Sequence, residues 1–519
     1  MVDSLTVATI ELARSAPAAR LRALRVSPVL TLVALVAAST ALRTVAAFER
    51  ETPRYFPDEF IYAQLARSLA AGDGATVLGA SVGMPALLEP LASAWTWLPG
   101  DQELAYRLTQ AQNALVMSIG SIAVFLPAWK VGAGSGFALA AAAVALIAPG
   151  LLYSGYMTAD ALGYTLCLSA VWAGVRLLST PGRGSELLFC SAAGLAAFAR
   201  LQYAVLLPCA LVAALAVERW SPSRALRRFP ILAGVSVAGV ASAAAVASAG
   251  RYNAVAGFRP SFEPVAWIAS SGFLLAVAGG VALAPGAVAG ALAQLRHPSS
   301  REGLAFSALA ATLVAFLLGA SAVMAVETGS DRFFERYLLI ATPLGAVAFG
   351  VWLGDGRRYQ PVALGVATAL ALTAALVPLS EYAAEQGKAD SPLLLALWQL
   401  EEHMGVGTAS LAAALAVTVG AAIAAATALR MVRPGVAIGF TLGALTGQLW
   451  RNEFGPPPGH VRPGLVHGPR QRGALAALRA RAQVLGGAQQ RPLLGQDHQL
   501  GAAPNGVADQ AIGRRQVAF

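Results

Sequence analysis

Arg54-Tyr-Phe-Pro57-Asp58-Glu59-Phe-Ile-Tyr62-Ala-Gln-Leu-Ala-Arg67-Ser-Leu-Ala-Ala-Gly72 begins a few residues past the first apolar run of the chain. It sets two adjacent carboxylates beside that run. Only 12% of the 519 residues are charged, about half the share usual in soluble proteins. An acidic pair in that setting marks a candidate site.

Working outward, 57% of the chain is hydrophobic and its mean hydropathy is +0.62. Apolar runs of about 17–25 residues, the length that crosses a bilayer, recur between short charged segments. Thirteen spans are expected, at 27–48, 109–129, 135–152, 161–179, 187–199, 202–217, 230–249, 265–294, 303–326, 337–353, 360–380, 408–429 and 434–450. The fold class is therefore all-α, a polytopic helical membrane protein. The pair at 187–217 also reads as one long span broken at Arg200. No internal repeat is visible. The basic segment 1–26 (Arg14, Arg20, Arg22, Arg25) leads into an uncleaved first span. Cys167, Cys190 and Cys209 lie in apolar runs and read as small core residues, without disulfide or metal-ligand spacing.

Charge orients the chain. With a cytoplasmic N-terminus and alternating spans, the inner segments hold 17 basic and 6 acidic residues, and the outer ones up to Trp450 hold 11 basic and 18 acidic. Cytoplasmic loops are enriched in Lys and Arg, and here they carry Arg219, Arg224, Arg227 and Arg228, then Arg357 and Arg358. The opposite orientation inverts the rule, so the Asp58–Glu59 loop is expected to face outward from the plasma membrane. The net charge of +10 does not mark a nucleic-acid partner, because it divides between inner loops and tail.

The domains follow: a cytoplasmic N-terminus at 1–26, a transmembrane domain at 27–450 with a long first outer loop at 49–108, and a basic tail at 451–519. The tail is rich in Arg, Gln, Gly and Pro and shows no core pattern. It reads as a disordered extension or as out-of-frame translation of GC-rich DNA. In the first loop an amphipathic helix is expected over 58–71, with Phe60, Ile61, Leu65 and Leu69 apolar and Glu59, Gln64 and Arg67 polar. Pro57 blocks it upstream, and Gly72-Asp73-Gly74 ends it. A second apolar stretch, 84–98, contains Pro85 and Pro90 and is too short to span. Both are expected to lie along the outer membrane surface.

Polar residues collect at the outer span ends: Asp58, Glu59, Asp160, Arg200, Gln202, Arg251, Tyr252, Asp331, Arg332, Glu335, Arg336 and Tyr337. A carboxylate can deprotonate an acceptor hydroxyl. Arginines bind phosphate through paired hydrogen bonds and stabilise its growing charge. Two carboxylates, such as Asp58 with Asp160, also suit a divalent cation. Each residue has a plainer reading. Asp58 and Asp160 are also good helix N-caps, and Glu59 a good first-turn residue. Arg200 fits a side chain snorkelling to the interface, and Arg336-Tyr337 an interfacial anchor. Glu89 reads as surface-exposed. The five histidines, with His297 and His403 in loops, share no metal-ligand spacing.

The stretch Pro57-Asp58-Glu59-x-x-Tyr62-x-x-x-Ala66-Arg67-x-Leu69-x-x-Gly72, directly after the first span, resembles the first-loop signature of GT-C glycosyltransferases. The resemblance is to the protein mannosyltransferase and lipid A aminoarabinose transferase group. Ala105-Tyr106-Arg107, Leu152-Tyr153-Ser154-Gly155 followed by Asp160, and Glu335-Arg336-Tyr337-Leu338 with Pro343 add to it. It covers about residues 27–355 as a pattern. It implies a GT-C fold with outer juxtamembrane helices and inverting transfer of a hexose or pentose from a polyprenyl-phosphate sugar. The acceptor would be an outward-facing glycan, lipid or protein. Asp58, Glu59 and Asp160 would be the catalytic acids, and Arg336, Arg200 and Arg251 would hold the donor phosphate. Tyr62 and Tyr337 would contact substrate, and no cofactor beyond a divalent metal is implied. The family often ends in an outer soluble domain, and this tail does not read as one. Two other functions fit a polytopic chain: a transporter or flippase of envelope components, and a non-catalytic subunit of envelope assembly. Transporters favour mid-membrane ionisable groups and repeats, whereas here the acids gather at span ends.

Overall fold

Long runs of Ala, Leu and Val with few breakers fold as helices, and the Pro and Gly positions decide where each one stops. The computed structural model describes residues 27–48, 57–77, 80–81, 87–132, 134–248, 263–327, 333–374, 376–382 and 391–454. The segment 1–26, Pro85, Arg251 with Tyr252, Asp331 with Arg332 and the tail from 455 lie outside them, and Asp58 is described in its backbone only. The chain divides into two units, Met1–Phe454 and Gly455–Phe519. Every candidate site residue lies in the first.

The order begins with α1 (Pro28–Phe48), α2 (Pro57–Ala71), a small antiparallel hairpin of β1 (Thr76–Val77) and β2 (Ala80–Ser81), α3 (Leu88–Ser93) and a 3-10 turn over Ala94–Trp97. Next come α4 (Gln102–Val131), α5 (Ser135–Ile147), a 3-10 segment Pro149–Gly155, α6 (Asp160–Ser179), α7 (Arg183–Ala199), a 3-10 turn Leu201–Val205 and α8 (Leu206–Val217). Then follow α9 (Pro222–Arg228), α10 (Pro230–Ser248), α11 (Glu263–Ala278), α12 (Ala284–Arg296), α13 (Arg301–Glu327), a 3-10 turn Glu335–Leu338 and α14 (Ala341–Gly354). The last are α15 (Gln360–Ala374), α16 (Leu379–Tyr382), α17 (Pro392–Met404), α18 (Thr408–Ala428) and α19 (Pro434–Phe454).

The expected all-α membrane architecture holds. Among the described residues, six helices are long and apolar enough to cross a bilayer: α1, α4, α6, α13, Glu335–Gly354 and α18. Helices occupy the other expected spans as well, but 265–294 is two helices, α11 and α12, separated at Gly280 with φ +87°, and α5 and α15 have only 13 and 15 residues. By length and composition alone, six of the thirteen expected spans qualify among the described residues, seven if the bent pair Leu201–Val217 with Pro222–Arg228 counts as one. The stretch 187–217 is two helices broken at Arg200, not one span.

The core runs through the middle of the bundle. Trp352, Phe306, Phe349, Tyr164 and Tyr203 are buried there. Small residues let helices approach. Gly286 and Gly290, four apart on α12, face α14. A Cβ at Gly286 would lie 2.6 Å from the Phe349 and Trp352 rings, and one at Gly290 would lie 2.5 Å from the Ala348 carbonyl. This is the small-x-x-x-small packing that membrane helices favour. Cys167 and Cys209 are buried, and all three cysteines are free, as expected of small core residues.

One end of the bundle is stapled by ion pairs and caps. Glu218 Oε1 lies 2.9 Å from Arg301 and 3.2 Å from Arg228. Arg301 Nε also donates to Leu178 O at 2.8 Å. Glu186 accepts from the N–H groups of Ile231 and Leu232, which opens α10. Leu178 is about 27 Å along α6 from Asp160 at 1.5 Å per residue, so these contacts lie a membrane thickness from the acid cluster.

Two expectations about the surface segments change. The amphipathic helix exists as α2, but it turns a different face inward. Glu59 is buried with Leu65 and Ala66, and Phe60 is 53% exposed. The segment 381–407, expected as an outer loop between the spans 360–380 and 408–429, contains α17, so His403 sits on a helix, its Nδ1 2.7 Å from Gln399 O. Ser391 accepts from Leu394 N at the start of α17.

Candidate active site at one end of the bundle

The site is built around a stretch of buried, non-α-helical backbone. Pro149 stops α5, since a proline cannot continue the ladder and biases the residue before it away from helix; Ala148 is accordingly extended at φ −55°, ψ 139°. Residues 152–160 are all buried. Backbone polar groups buried there need partners from elsewhere. Gln110 Nε2 donates to Gly155 O at 2.7 Å, and Asn113 Nδ2 donates to Tyr156 O at 3.0 Å. Met157 N donates to Glu59 Oε1 at 3.0 Å. Gln110 and Asn113 are three apart on α4, hence on one face.

Asp160 opens α6 and does not cap it; the N-cap position is Ala159 and makes no side-chain cap bond. The carboxylate is engaged otherwise. Thr158 Oγ1 donates to Oδ2 at 2.8 Å, and Oδ1 forms an ion pair with Arg200. The Asp160 side chain is 2% exposed and that of Arg200 13%. Arg200 thus does not snorkel to the interface. It lies in extended backbone between α7 and the turn Leu201–Val205. Gly163, one turn along α6 from Asp160, leaves room for its stem, since a Cβ there would meet Arg200 Cγ at 3.0 Å.

Tyr337 receives two guanidinium groups. Arg200 Cζ lies 5.6 Å and Arg336 Cζ 5.8 Å from its ring centroid, within cation–π range. The turn Glu335–Leu338 is fixed by Glu335, whose Oε2 accepts from Ser391 Oγ and, at 3.1 Å, from Leu393 N. That acid serves the start of α17. Tyr62 is half-buried on α2, three residues past Glu59.

The structure therefore brings Asp160, Arg200, Arg336 and Tyr337 into one contact chain. Glu59 joins the same buried stretch three residues before Asp160. Since α2 begins at Pro57, Asp58 lies inside the first turn rather than at the cap position. Glu89 is 3% exposed, not at the surface, and burial pushes its carboxyl up to about 8. Asp160 meets Thr158 with one carboxylate oxygen and Arg200 with the other. Among the described residues no three His, Cys, Asp or Glu side chains gather to hold a metal. Sequence reasoning missed Gln110, Asn113 and Thr158. The signal was present as amides recurring in an otherwise apolar run. It also missed Arg43, buried on α1 with Nη2 donating to Leu146 O at 3.1 Å near the end of α5, where a cation suits the helix dipole.

Fold and site together define a class: a helical membrane protein with a buried acid–arginine–tyrosine cluster at one end of its bundle. No family model matches the chain, and no curated protein matches it. Among solved structures similar to it is ArnT from Cupriavidus metallidurans bound to undecaprenyl phosphate, at 17% identity and a TM-score of 0.47, covering 82% of this chain and 77% of that one. The apo state of that protein is similar at 16% identity and a TM-score of 0.40, covering 82% and 78%. This likeness adds nothing to the reading of the site, which rests on its own residues.

Proposed function

We propose that the protein is an inverting glycosyltransferase that moves a sugar from a polyprenyl-phosphate donor to an acceptor on the outer face of the membrane. The observation that carries this reading is the meeting of Arg200 and Arg336 on Tyr337 beside Asp160. Two guanidiniums from distant parts of the chain, held at one end of a membrane bundle, suit a lipid phosphate at the headgroup level. The first-loop motif at Asp58 supports the same reading, and so does the excess of basic residues in the segments assigned to the cytoplasm.

In this mechanism an acceptor hydroxyl attacks the anomeric carbon as Asp58 takes its proton. The bond from that carbon to the phosphate oxygen breaks, and the phosphate leaves with the electron pair. Arg336, Arg200 and Arg251 stabilise the charge that develops on it. Asp160 holds Arg200 in place, and a single displacement inverts the anomeric centre. Glu59 does not take the proton in this mechanism, because its Oε1 already accepts from Met157 N. Tyr337, and Tyr62 on α2, face the sugar. The acceptor is a glycan, lipid or protein, and the enzyme sits in the plasma membrane with its N-terminus in the cytoplasm.

Binding of a polyprenyl phosphate to purified protein tests the donor site. Arg336→Ala is expected to weaken it about 10- to 100-fold, the loss of charge-assisted hydrogen bonds worth about 1.5–3 kcal/mol. Unchanged binding removes Arg336 from the site. Directional solute movement in liposomes without sugar transfer replaces the enzyme reading with a transporter.

A further inference from the structure

We infer that Glu59, together with Gln110 and Asn113, is a positioning residue: the three side chains clamp the buried backbone at 155–157 and so set where Asp160 and Arg200 stand relative to the start of α2. The inference rests on the transferase reading and divides the labour within the acidic pair. Asp58 acts on substrate, and Glu59 acts on the scaffold.

Three consecutive backbone positions each receive one side chain: Gly155 O from Gln110, Tyr156 O from Asn113, and Glu59 from Met157 N. The clamping groups are withdrawn from solvent, Glu59 at 3%, Gln110 at 0% and Asn113 at 1% exposure. Glu59 and Met157 are 98 positions apart in sequence, so this bond ties the first loop to the entrance of α6. Three residues past Met157 lies Asp160, which accepts from Thr158 and pairs with Arg200. A shift of the stretch therefore moves the arginine over Tyr337. Glu59 needs only an acceptor oxygen for its bond to Met157, and glutamine supplies one.

The test uses full-length protein in liposomes, with Glu59→Gln, Glu59→Ala and Asp58→Asn. Two quantities are read: turnover of a labelled polyprenyl-phosphate sugar per folded molecule, and amide hydrogen exchange in 152–160. Glu59→Gln is expected to keep turnover within about threefold and to leave exchange protected. Glu59→Ala is expected to lower kcat about 10- to 100-fold, with KM for the donor little changed, and to speed exchange at Met157. Glu59→Gln as inactive as Asp58→Asn overturns the inference, because the charge itself is then required. Glu59→Ala with native exchange overturns it too. If the wild type transfers no sugar, the transferase reading fails while the exchange data still decide the clamp.

Discussion

Asp160 and Arg200 form an ion pair withdrawn from solvent, and such pairs are costly to break from one side only. Asp160→Asn leaves a buried guanidinium uncompensated and is expected to destabilise the protein by about 3–5 kcal/mol. A lowered thermal midpoint in detergent checks this, and an unchanged midpoint removes the pair from the account. Glu89 gives a pH test. Its folded carboxyl is pushed up to about 8 from an ordinary 4.5 by burial, so the folded state holds a proton that the unfolded chain releases. Its contribution is fully present below about 4.5 and is lost as pH rises through about 8. Thermal midpoints between pH 5 and 9 should fall for the wild type and flatten in Glu89→Gln; equal slopes would contradict the burial. The sequence made Asp160 and Arg200 visible as polar residues at span ends, but it offered the wrong plain roles, a cap and a snorkel. The reason is physical: the bond that decides both crosses between helices, 40 positions apart in sequence, and local spacing carries no trace of it.

At the scale of elements, the bundle depends on helices that pack without side chains between them. Gly290→Ala places a Cβ 2.5 Å from the Ala348 carbonyl, and backbone cannot yield as a flexible side chain does. A loss of about 1–3 kcal/mol is expected, read as a lower thermal midpoint. Gly234→Ala on α10, where a Cβ meets nothing within 4 Å, serves as the control. Helix α2 was legible in the chain, from Pro57 at its start to Gly72 and Gly74 at its end. Both glycines adopt positive φ, +81° and +79°, and Asp73 N donates to Ser68 O at 3.0 Å, closing the last turn. Its inward face was not legible. Hydrophobic pattern puts Phe60 inside and Glu59 outside, but beside a membrane an aromatic ring also finds an apolar surround outside the protein, and the buried backbone at 157 draws the carboxylate inward.

For the whole molecule, charge placement predicts one orientation, with the first loop outside and the Arg224–Arg228 loop in the cytoplasm. On a cysteine-free background, Asp73→Cys should react with a membrane-impermeant maleimide in intact cells, and Arg224→Cys only after permeabilisation; the reverse pattern inverts the topology. Fold class was readable from run lengths, whereas helix ends were not: the expected span 135–152 stops as helix at Ile147 and then runs into the 3-10 segment Pro149–Gly155, which an apolar run does not distinguish from helix. The most direct measurement of the central claim is sugar transfer by purified protein in liposomes supplied with a labelled polyprenyl-phosphate sugar, wild type against Asp58→Asn. The account predicts transfer by the wild type and a loss of at least about 100-fold in the variant, with both equally folded. Full transfer by Asp58→Asn would contradict it.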